Sequence, residues 1–210
     1  MYINEDVLNL TNGNADIIDT EFGKMHIEKI EAGKLKLVSG KIIATDPILM
    51  YDDQSYSKTV APGIYTVYVY NGKTEKRKTQ SVLAELRINE NVPVRWELAL
   101  FKGENASGFA HDEFMGYEVE NGLGCFMDES VMDILDVMDE DELEKYEKEI
   151  RDKVRNSQNS CADILIDKKA GSNIIVFASG WNEGVFPTYY GLDKQNNIAR
   201  IVTDFMVIEA

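Results

Sequence analysis

A chain of 210 residues, 44% hydrophobic and 28% charged, is long enough for one substantial core and has an ordinary globular composition. Its formal net charge of -15 disfavours nucleic acid and anionic membranes as partners, because like charges repel. No apolar run reaches the roughly 18 residues of a spanning helix, and residues 1–14 carry no basic region typical of a secretory signal. These features predict a cytoplasmic protein.

The N-terminal segment differs in pattern from the rest of the chain. Residues 1–33 show little sustained period, and we expect an arm packed on the core, with one strand near residues 25–30. Residues 34–210 are predicted to form a single β-rich domain. Apolar pairs on both sides of Ser39-Gly40 indicate a hairpin, whose second strand ends at Asp46-Pro47.

A strand over residues 64–70 is expected next. Pro62-Gly63 precedes it, and Asn71-Gly72 after it is a strong signal for a hairpin turn.

Two strands in the middle of the chain show the clearest alternation. Apolar residues recur at every second position on both sides of Asn89-Glu90-Asn91, which predicts two half-buried strands joined as an antiparallel pair. The apolar positions are Val82, Ala84, Leu86 and Ile88, then Val92, Val94, Trp96, Leu98 and Leu100. The opposite faces carry Glu85 and Arg87 beside Arg95 and Glu97, so we expect a polar ladder of charged side chains.

An acidic segment then predicts two amphipathic helices. Apolar residues at helical spacing are Val131, Ile134, Leu135 and Met138, followed by Leu143, Tyr146, Ile150 and Val154. Asp128 is placed to cap the first helix, and Asp139 with Glu142 resembles a capping box. Strands near residues 162–166, 174–178, 188–191 and 198–208 follow. The predicted fold is α+β and predominantly antiparallel β, a two-layer β-sandwich-like core with a helical pair inserted before the C-terminal strands.

An ordered set of motifs resembles one family. The motifs are Ser39-Gly40, Asp46-Pro47, Pro62-Gly63-Ile64-Tyr65, Ala84-Glu85-Leu86-Arg87, Arg95-Trp96-Glu97-Leu98-Ala99, Gly122-Leu123-Gly124-Cys125-Phe126-Met127-Asp128 and Ser179-Gly180-Trp181. They resemble an uncharacterised bacterial family, catalogued as a domain of unknown function, number four-two-four-one in its series. The resemblance covers roughly residues 39–209.

The resemblance implies a bacterial cytoplasmic β-rich domain without an established activity, of a kind that includes suspected toxin-immunity proteins. The chain departs from the family at Asn182-Glu183-Gly184, where Gly-Asp-Gly is usual, and at Glu118 and Glu120, where the family tends to an aspartate-containing segment.

Conventional catalytic and metal-binding patterns are weak. Cys125 with His111 could act as nucleophile and base, but apolar neighbours favour a buried structural cysteine. His26 has no obvious partner, and the two histidines and two distant cysteines show no zinc-ligand spacing. Several carboxylates could hold a hard cation but lack EF-hand spacing; they are Asp112, Glu113, Glu118, Glu120 and Asp128. We expect no metal and no cofactor.

The polar ladder is the best-placed candidate for a binding face, and a solvated outer face is the alternative interpretation. The turns between residues 180 and 193 could close over it, with aromatic walls and an arginine that holds an anionic group. The predicted binding face is Glu85, Arg87, Arg95, Glu97, Trp181, Glu183, Tyr189, Tyr190 and Asp193.

The expected function is binding or interaction rather than catalysis. A toxin-immunity role inside a bacterial cell is its most concrete version, with a basic protein partner bound through the acidic segment around Glu140 and Asp141. The alternative is a hydrolase or small-molecule-binding protein that uses an Arg/carboxylate-lined cleft. A pocket with several convergent polar groups of strongly shifted pKa values would favour the alternative, and a broad acidic patch with exposed aromatic residues would favour the first.

Overall fold

A computed structural model describes residues 2–13, 17–21, 23–49, 54–110 and 112–208. The helices are α1 (Glu5–Leu8), α2 (Met132–Leu135) and α3 (Glu140–Asn156), with 3-10 turns at Asn9–Asn12 and Glu129–Val131. The strands are β1 (Ile17–Thr20), β2 (Gly23–Leu37), β3 (Ile42–Thr45), β4 (Gly63–Lys73), β5 (Gln80–Arg87), β6 (Arg95–Leu98), β7 (Gly116–Val119), β8 (Leu123–Asp128), β9 (Cys161–Asp167), β10 (Ser172–Ala178), β11 (Gly184–Leu192) and β12 (Ile198–Asp204).

The strands form two antiparallel sheets. The large sheet has the order β1-β2-β4-β5-β12-β11-β6, and β7 also pairs with β11. The small sheet has the order β3-β8-β10-β9. Together the sheets make a curled, sandwich-like core, which confirms the predicted fold class.

Apolar side chains from both sheets share one core. Phe126 and Phe177 of the small sheet meet edge to face with ring centroids 5.1 Å apart, and Phe177 lies 5.9 Å from Phe205. Val7 and Leu8 of the N-terminal segment are fully buried in the same core. β2 runs continuously from Gly23 to Leu37, so the predicted boundary between residues 33 and 34 falls inside a strand.

The helical segment covers a second apolar cluster on the small sheet, to which Ile150 of α3 and Ile174 of β10 both belong. The predicted capping box is confirmed, because the Asp139 carboxylate accepts the Glu142 N–H at 2.9 Å and Glu142 accepts the Asp139 N–H at 3.1 Å. The first predicted helix is a 3-10 turn followed by one α-helical turn. No helix among the described residues has the length and apolarity needed to cross a membrane.

The hairpin predicted around Ser39-Gly40 is wrong. This segment carries the chain from β2 in the large sheet to β3 in the small sheet. The Ser39 and Gly40 N–H groups donate to the Asp128 carboxylate at 2.9 and 3.1 Å, so the turn is tied to the end of β8. A Cβ at Gly40 would lie 2.0 Å from the Val60 carbonyl oxygen, which explains the glycine.

The turn predicted at Asn71-Gly72 is also wrong. β4 continues through these residues to Lys73, and Gly72 pairs with Gln80 of β5. A Cβ at Gly72 would lie 2.3 Å from the Met25 sulfur and 2.8 Å from Val82. Glycine therefore makes room for close packing here rather than for a turn.

The predicted pairing of the two central strands is the third error. β5 pairs with β4 and β12, whereas β6 pairs with β11, so the β11–β12 hairpin lies between them. The Ile88 N–H donates to the Ala199 carbonyl at 3.0 Å, which keeps the chain against β12 beyond Arg87. Alternation determines the face that a side chain takes, but not which strand becomes the neighbour.

Candidate functional site

The predicted polar ladder does not form one face. Arg87 lies opposite Arg200, Arg200 opposite Gly191, and Gly191 opposite Trp96. Residues that are opposite in an antiparallel sheet share a face, so Glu85 and Arg87 lie on the same face as Trp96. Arg95 and Glu97, the neighbours of Trp96 in β6, lie on the other face.

Glu85 is the centre of a buried ion cluster. Arg87 Nε and Arg200 Nε each lie 2.7 Å from its Oε1, and the Tyr70 hydroxyl donates to Oε2 at 2.6 Å. Lys29 Nζ lies 3.6 Å from the same Oε2. A carboxylate that is fully removed from water needs such paired charges and hydrogen bonds.

The electrostatics of this cluster favour a structural role. Burial, together with the Glu85 charge, raises the pKa of Tyr70, which stays a protonated donor. Burial lowers the pKa of Lys29, whose ammonium lies 3.9 Å from the centre of the Tyr68 ring. Arg200 was not predicted as a member, although an arginine in the middle of the apolar strand Ile198–Val202 was an available signal.

On the opposite face, Glu97 contacts Lys58 and Arg95 contacts Asn196. Lys58 and Asn196 both line a cleft of about 550 Å³, which we call the turn cleft. Its lining includes Lys58 and the apolar residues Val60, Ala61, Ile88, Leu192 and Ile198. The Glu97 carboxylate pairs with Lys58 through one oxygen and with Arg95 at 2.8 Å through the other. Arg95 also donates to the Asn196 side-chain oxygen at 2.6 Å.

Tyr190 and Asp193 support the turn cleft. The Tyr190 hydroxyl accepts the Lys58 N–H at 3.2 Å, and the Lys58 ammonium lies 5.1 Å from the centre of the Tyr190 ring. Burial raises the pKa of Tyr190 to about 12. Asp193 accepts the Asn197 N–H at 2.9 Å, and this hydrogen bond is the main cause that lowers the pKa of Asp193.

Tyr189 belongs neither to the Glu85 ion cluster nor to the lining of the turn cleft. Its side chain is fully buried, and its hydroxyl donates to the Tyr2 carbonyl of the N-terminal segment at 2.9 Å.

Trp181 borders a second cleft of about 440 Å³, where the ends of the two sheets meet. We call it the junction cleft. Segments from β2, β4, β5, the β7–β8 turn, the loop after α3 and the end of β10 converge there. Its carboxamide side chains are Asn71, Gln80, Asn121, Gln158, Asn159 and Asn182. Glu28 is the one side chain with a formal charge among the described lining residues.

The carboxamides of the junction cleft fall into two groups. Gln80 donates to the Gly180 carbonyl at 2.9 Å, and Asn71 accepts the Ser81 hydroxyl at 3.1 Å. The other four side-chain amides have no hydrogen-bond partner among the described residues, namely Asn121, Gln158, Asn159 and Asn182. Free donors and acceptors from separate segments therefore converge on one open space.

The indole of Trp181 is held in place at the edge of this cleft. The indole Nε1–H donates to the Phe205 carbonyl at 2.8 Å, and the backbone carbonyl of Trp181 accepts the Ser179 hydroxyl at 2.6 Å. Gly180 has a φ of 76°, and a Cβ there would lie 2.4 Å from the Ser81 carbonyl oxygen. Trp181 is still 39% exposed, so a fixed aromatic surface faces solvent. Glu183 is exposed in the same segment but does not line the cleft.

The other sequence candidates take structural positions or lie outside the described residues. Cys125 is fully buried in β8, between β3 and β10. His111 lies outside the described residues. Asp128 accepts hydrogen bonds from Ser39, Gly40 and Ser130. In the described part of the chain, no group of three or more His, Cys, Asp or Glu side chains is placed to hold a metal ion.

Over the described residues, the structure is a two-sheet antiparallel β protein whose surface includes the turn cleft and the junction cleft, with a buried ion cluster in its larger sheet. The family model described as Protein of unknown function (DUF4241) matches residues 35–203, and the chain belongs to this family. The family expected from the ordered motifs is thereby confirmed. Comparisons with curated proteins and with solved structures found no significant match.

Proposed function

We propose that this protein binds a small, uncharged, hydroxyl-bearing molecule of the saccharide class in the junction cleft, without changing it chemically. The observation that carries this proposal is that unpartnered carboxamides line the same cleft as Trp181, whose indole is fixed by a hydrogen bond. Small-molecule binding was expected to require a pocket with convergent polar groups of strongly shifted pKa values, and the convergent polar groups are present in the junction cleft. Its lining is carboxamide and hydroxyl, however, rather than arginine and carboxylate.

The chemistry of the lining supports a polyhydroxylated ligand. Each carboxamide offers donors and acceptors on one planar group, which matches neighbouring hydroxyls that also donate and accept. The flat apolar face of an indole packs against the C–H face of a sugar ring, while hydroxyls at the ring edge reach the amides. A volume of about 440 Å³ lies within the range of small-molecule sites.

The charges in and around the cleft support an uncharged ligand and binding without hydrolysis. No Lys, Arg or His lines the junction cleft among the described residues, so an anionic ligand has no counter-charge there. Glycoside hydrolysis generally uses two carboxyl groups on either side of the scissile bond. Among the described lining residues Glu28 is the one carboxylate, so the junction cleft supports recognition better than cleavage.

Saturation-transfer NMR with a panel of free monosaccharides and disaccharides tests the proposal, with nucleosides and amino acids as comparison ligands. We expect saccharide binding that Trp181→Ala weakens by about tenfold or more, because the stacking surface is lost. Asn159→Ala and Asn182→Ala should each weaken it by about 2- to 12-fold, the effect of one net hydrogen bond.

Gln195→Ala is the matched control, since Gln195 is an exposed carboxamide that does not line the cleft. Binding of no saccharide, or equal binding by the Trp181→Ala variant, would refute the proposal.

The protein-partner interpretation has less structural support. Glu140 and Asp141 lie in the exposed first turn of α3, beside the capping hydrogen bonds of Asp139 and Glu142. A basic partner, a toxin-immunity role and a bacterial cytoplasmic setting therefore stay expectations drawn from the net charge and the family resemblance.

A further inference from the structure

We propose that the turn cleft is a second binding site, which takes a monoanionic ligand with an apolar body, such as an aryl or alkyl carboxylate. Lys58 lines this cleft and shares the carboxylate of Glu97 with Arg95, whose guanidinium also donates to the lining residue Asn196. The turn cleft lies at the Ile88 end of β5, whereas the junction cleft lies at the Gln80 end. The two sites therefore differ in position and in ligand chemistry.

Two cations share one carboxylate at the turn cleft. Lys58 and Arg95 carry one positive charge each, and both pair with Glu97. The nearby Asp193 carboxylate pairs with neither cation, because it accepts hydrogen bonds from Asn91, Gln195 and Asn197. The side chains of Lys58 and Arg95 are 42% and 54% exposed, so both remain accessible to a ligand. A guanidinium has five N–H donors, and Arg95 uses only Nη2 for its contacts with Asn196 and Glu97 among the described residues. Its remaining donors can hold a carboxylate.

The fold holds both cations in place before a ligand binds. Lys58 is fixed through its backbone N–H by the Tyr190 hydroxyl and through its ammonium by the Tyr190 ring. Arg95 is fixed by Asn196, whose own N–H donates to the Asp193 carbonyl at 2.9 Å. Side chains that are already ordered lose less entropy when a ligand binds.

Apolar side chains line part of the same cleft. They are Val60, Ala61, Ile88, Leu192 and Ile198, and they lie beside polar lining residues. Covering apolar surface is favourable in proportion to the area removed from water, so a ligand body packed on these side chains adds to the charge attraction.

The test compares 4-phenylbutyrate with its uncharged amide by ligand-observed NMR on the full chain. We expect the carboxylate to bind more tightly than the amide, and its affinity to fall as salt rises. Glu97→Gln removes the competing negative charge and should raise carboxylate affinity by about four- to tenfold, as estimated for a charge roughly 5 Å away in well-hydrated surroundings with a dielectric constant of about 50 to 80. Lys58→Gln and Arg95→Gln should each lower carboxylate affinity by a similar factor. None of these changes should alter binding of the amide.

The matched controls remove charges of the same sign at surface positions outside the turn cleft. Lys41→Gln removes a cation paired with Glu129, and Glu149→Gln removes a carboxylate paired with Lys153. Both should leave carboxylate affinity unchanged, which separates a local effect from one of net charge. No binding of the carboxylate at millimolar concentration would overturn the proposal. Equal affinity for carboxylate and amide, or a Glu97→Gln variant that binds no more tightly, would overturn it as well.

Discussion

Asp204 provides a stability test that depends on one buried side chain. It is fully buried, its Oδ1 accepts the Met206 N–H at 2.8 Å, and its Oδ2 has no hydrogen-bond partner among the described residues. Burial raises the pKa of Asp204 from 3.8 to about 7, because an ionised carboxylate is poorly solvated there. The folded state therefore binds this proton more tightly than the unfolded state does.

The sign and size of the effect follow by linkage. Because the folded pKa is raised, the stabilisation is fully present below about pH 4 and is lost as pH rises through about 7. A shift of about three units corresponds to about 4 kcal/mol, of which about 2.5 kcal/mol is lost between pH 5 and pH 8. Asp204→Asn keeps the shape and the donor of the protonated acid but cannot ionise.

Urea unfolding of both proteins at pH 5, 6.5 and 8 measures this difference. The free energy of unfolding of the wild type should fall relative to that of Asp204→Asn by about 2.5 kcal/mol between pH 5 and pH 8. Asp152→Asn, at an exposed position of α3, is the control and should stay parallel to the wild type. A constant difference between wild type and Asp204→Asn across this pH range would show that Asp204 is ionised in the folded protein.

Other predictions concern packing, buried charge and metals. Trp96 is 6% exposed and packs against Gly191, so Trp96→Ala should lower the free energy of unfolding by about 3 to 5 kcal/mol; an unchanged denaturation midpoint would contradict its core position. Glu85→Ala leaves Arg200 buried without its counter-charge and should destabilise by about 3 to 5 kcal/mol, whereas Glu97→Ala beside the exposed turn cleft should lose at most about 1 kcal/mol. Similar losses for the two variants, measured by chemical denaturation, would mean that the Glu85 cluster is accessible to water. Calcium, magnesium or zinc, added or chelated, should leave the thermal midpoint unmoved, and a clear metal-dependent rise would revive a carboxylate site.

Local features were predictable from the sequence because their physics is local. The capping box joins Asp139 to Glu142, only three residues away, and the helical period of α3 extends over its whole length. Trp96 and Leu98 alternate as core residues of β6, and both are buried. Val94 continues the same pattern but is 56% exposed, because it lies just before the strand begins.

Strand partners were not predictable because they depend on contacts distant in the chain. The Ser39-Gly40 turn is fixed by Asp128, and the N–H groups of Glu120 and Asn121 are fixed by Asp46. These residues belong to or adjoin the motifs that resemble the family, so those motifs include connections that hold the two sheets together. A turn dipeptide alone does not reveal such a distant partner.

The two clefts were also not predictable from the sequence, because each is formed by segments that are distant in the chain. Trp181, Arg95, Glu97 and Tyr190 were identified as candidates from residue type, but the two clefts that they line or adjoin lie at opposite ends of β5. The six carboxamides of the junction cleft come from five separate segments and share no period. Only the folded chain brings them together.

The most direct test of the proposed function is the side-chain NMR signal of Trp181. The protein has two tryptophans, Trp96 in the core and Trp181 at the junction cleft, so a ¹⁵N-labelled sample gives two indole signals that Trp181→Phe assigns. Titration with the saccharide that binds best should shift the Trp181 indole signal and the side-chain amide signals of Asn159 and Asn182, while the Trp96 signal stays in place. Saccharide binding that moves neither the Trp181 signal nor these amides would contradict the assignment of the junction cleft as the binding site.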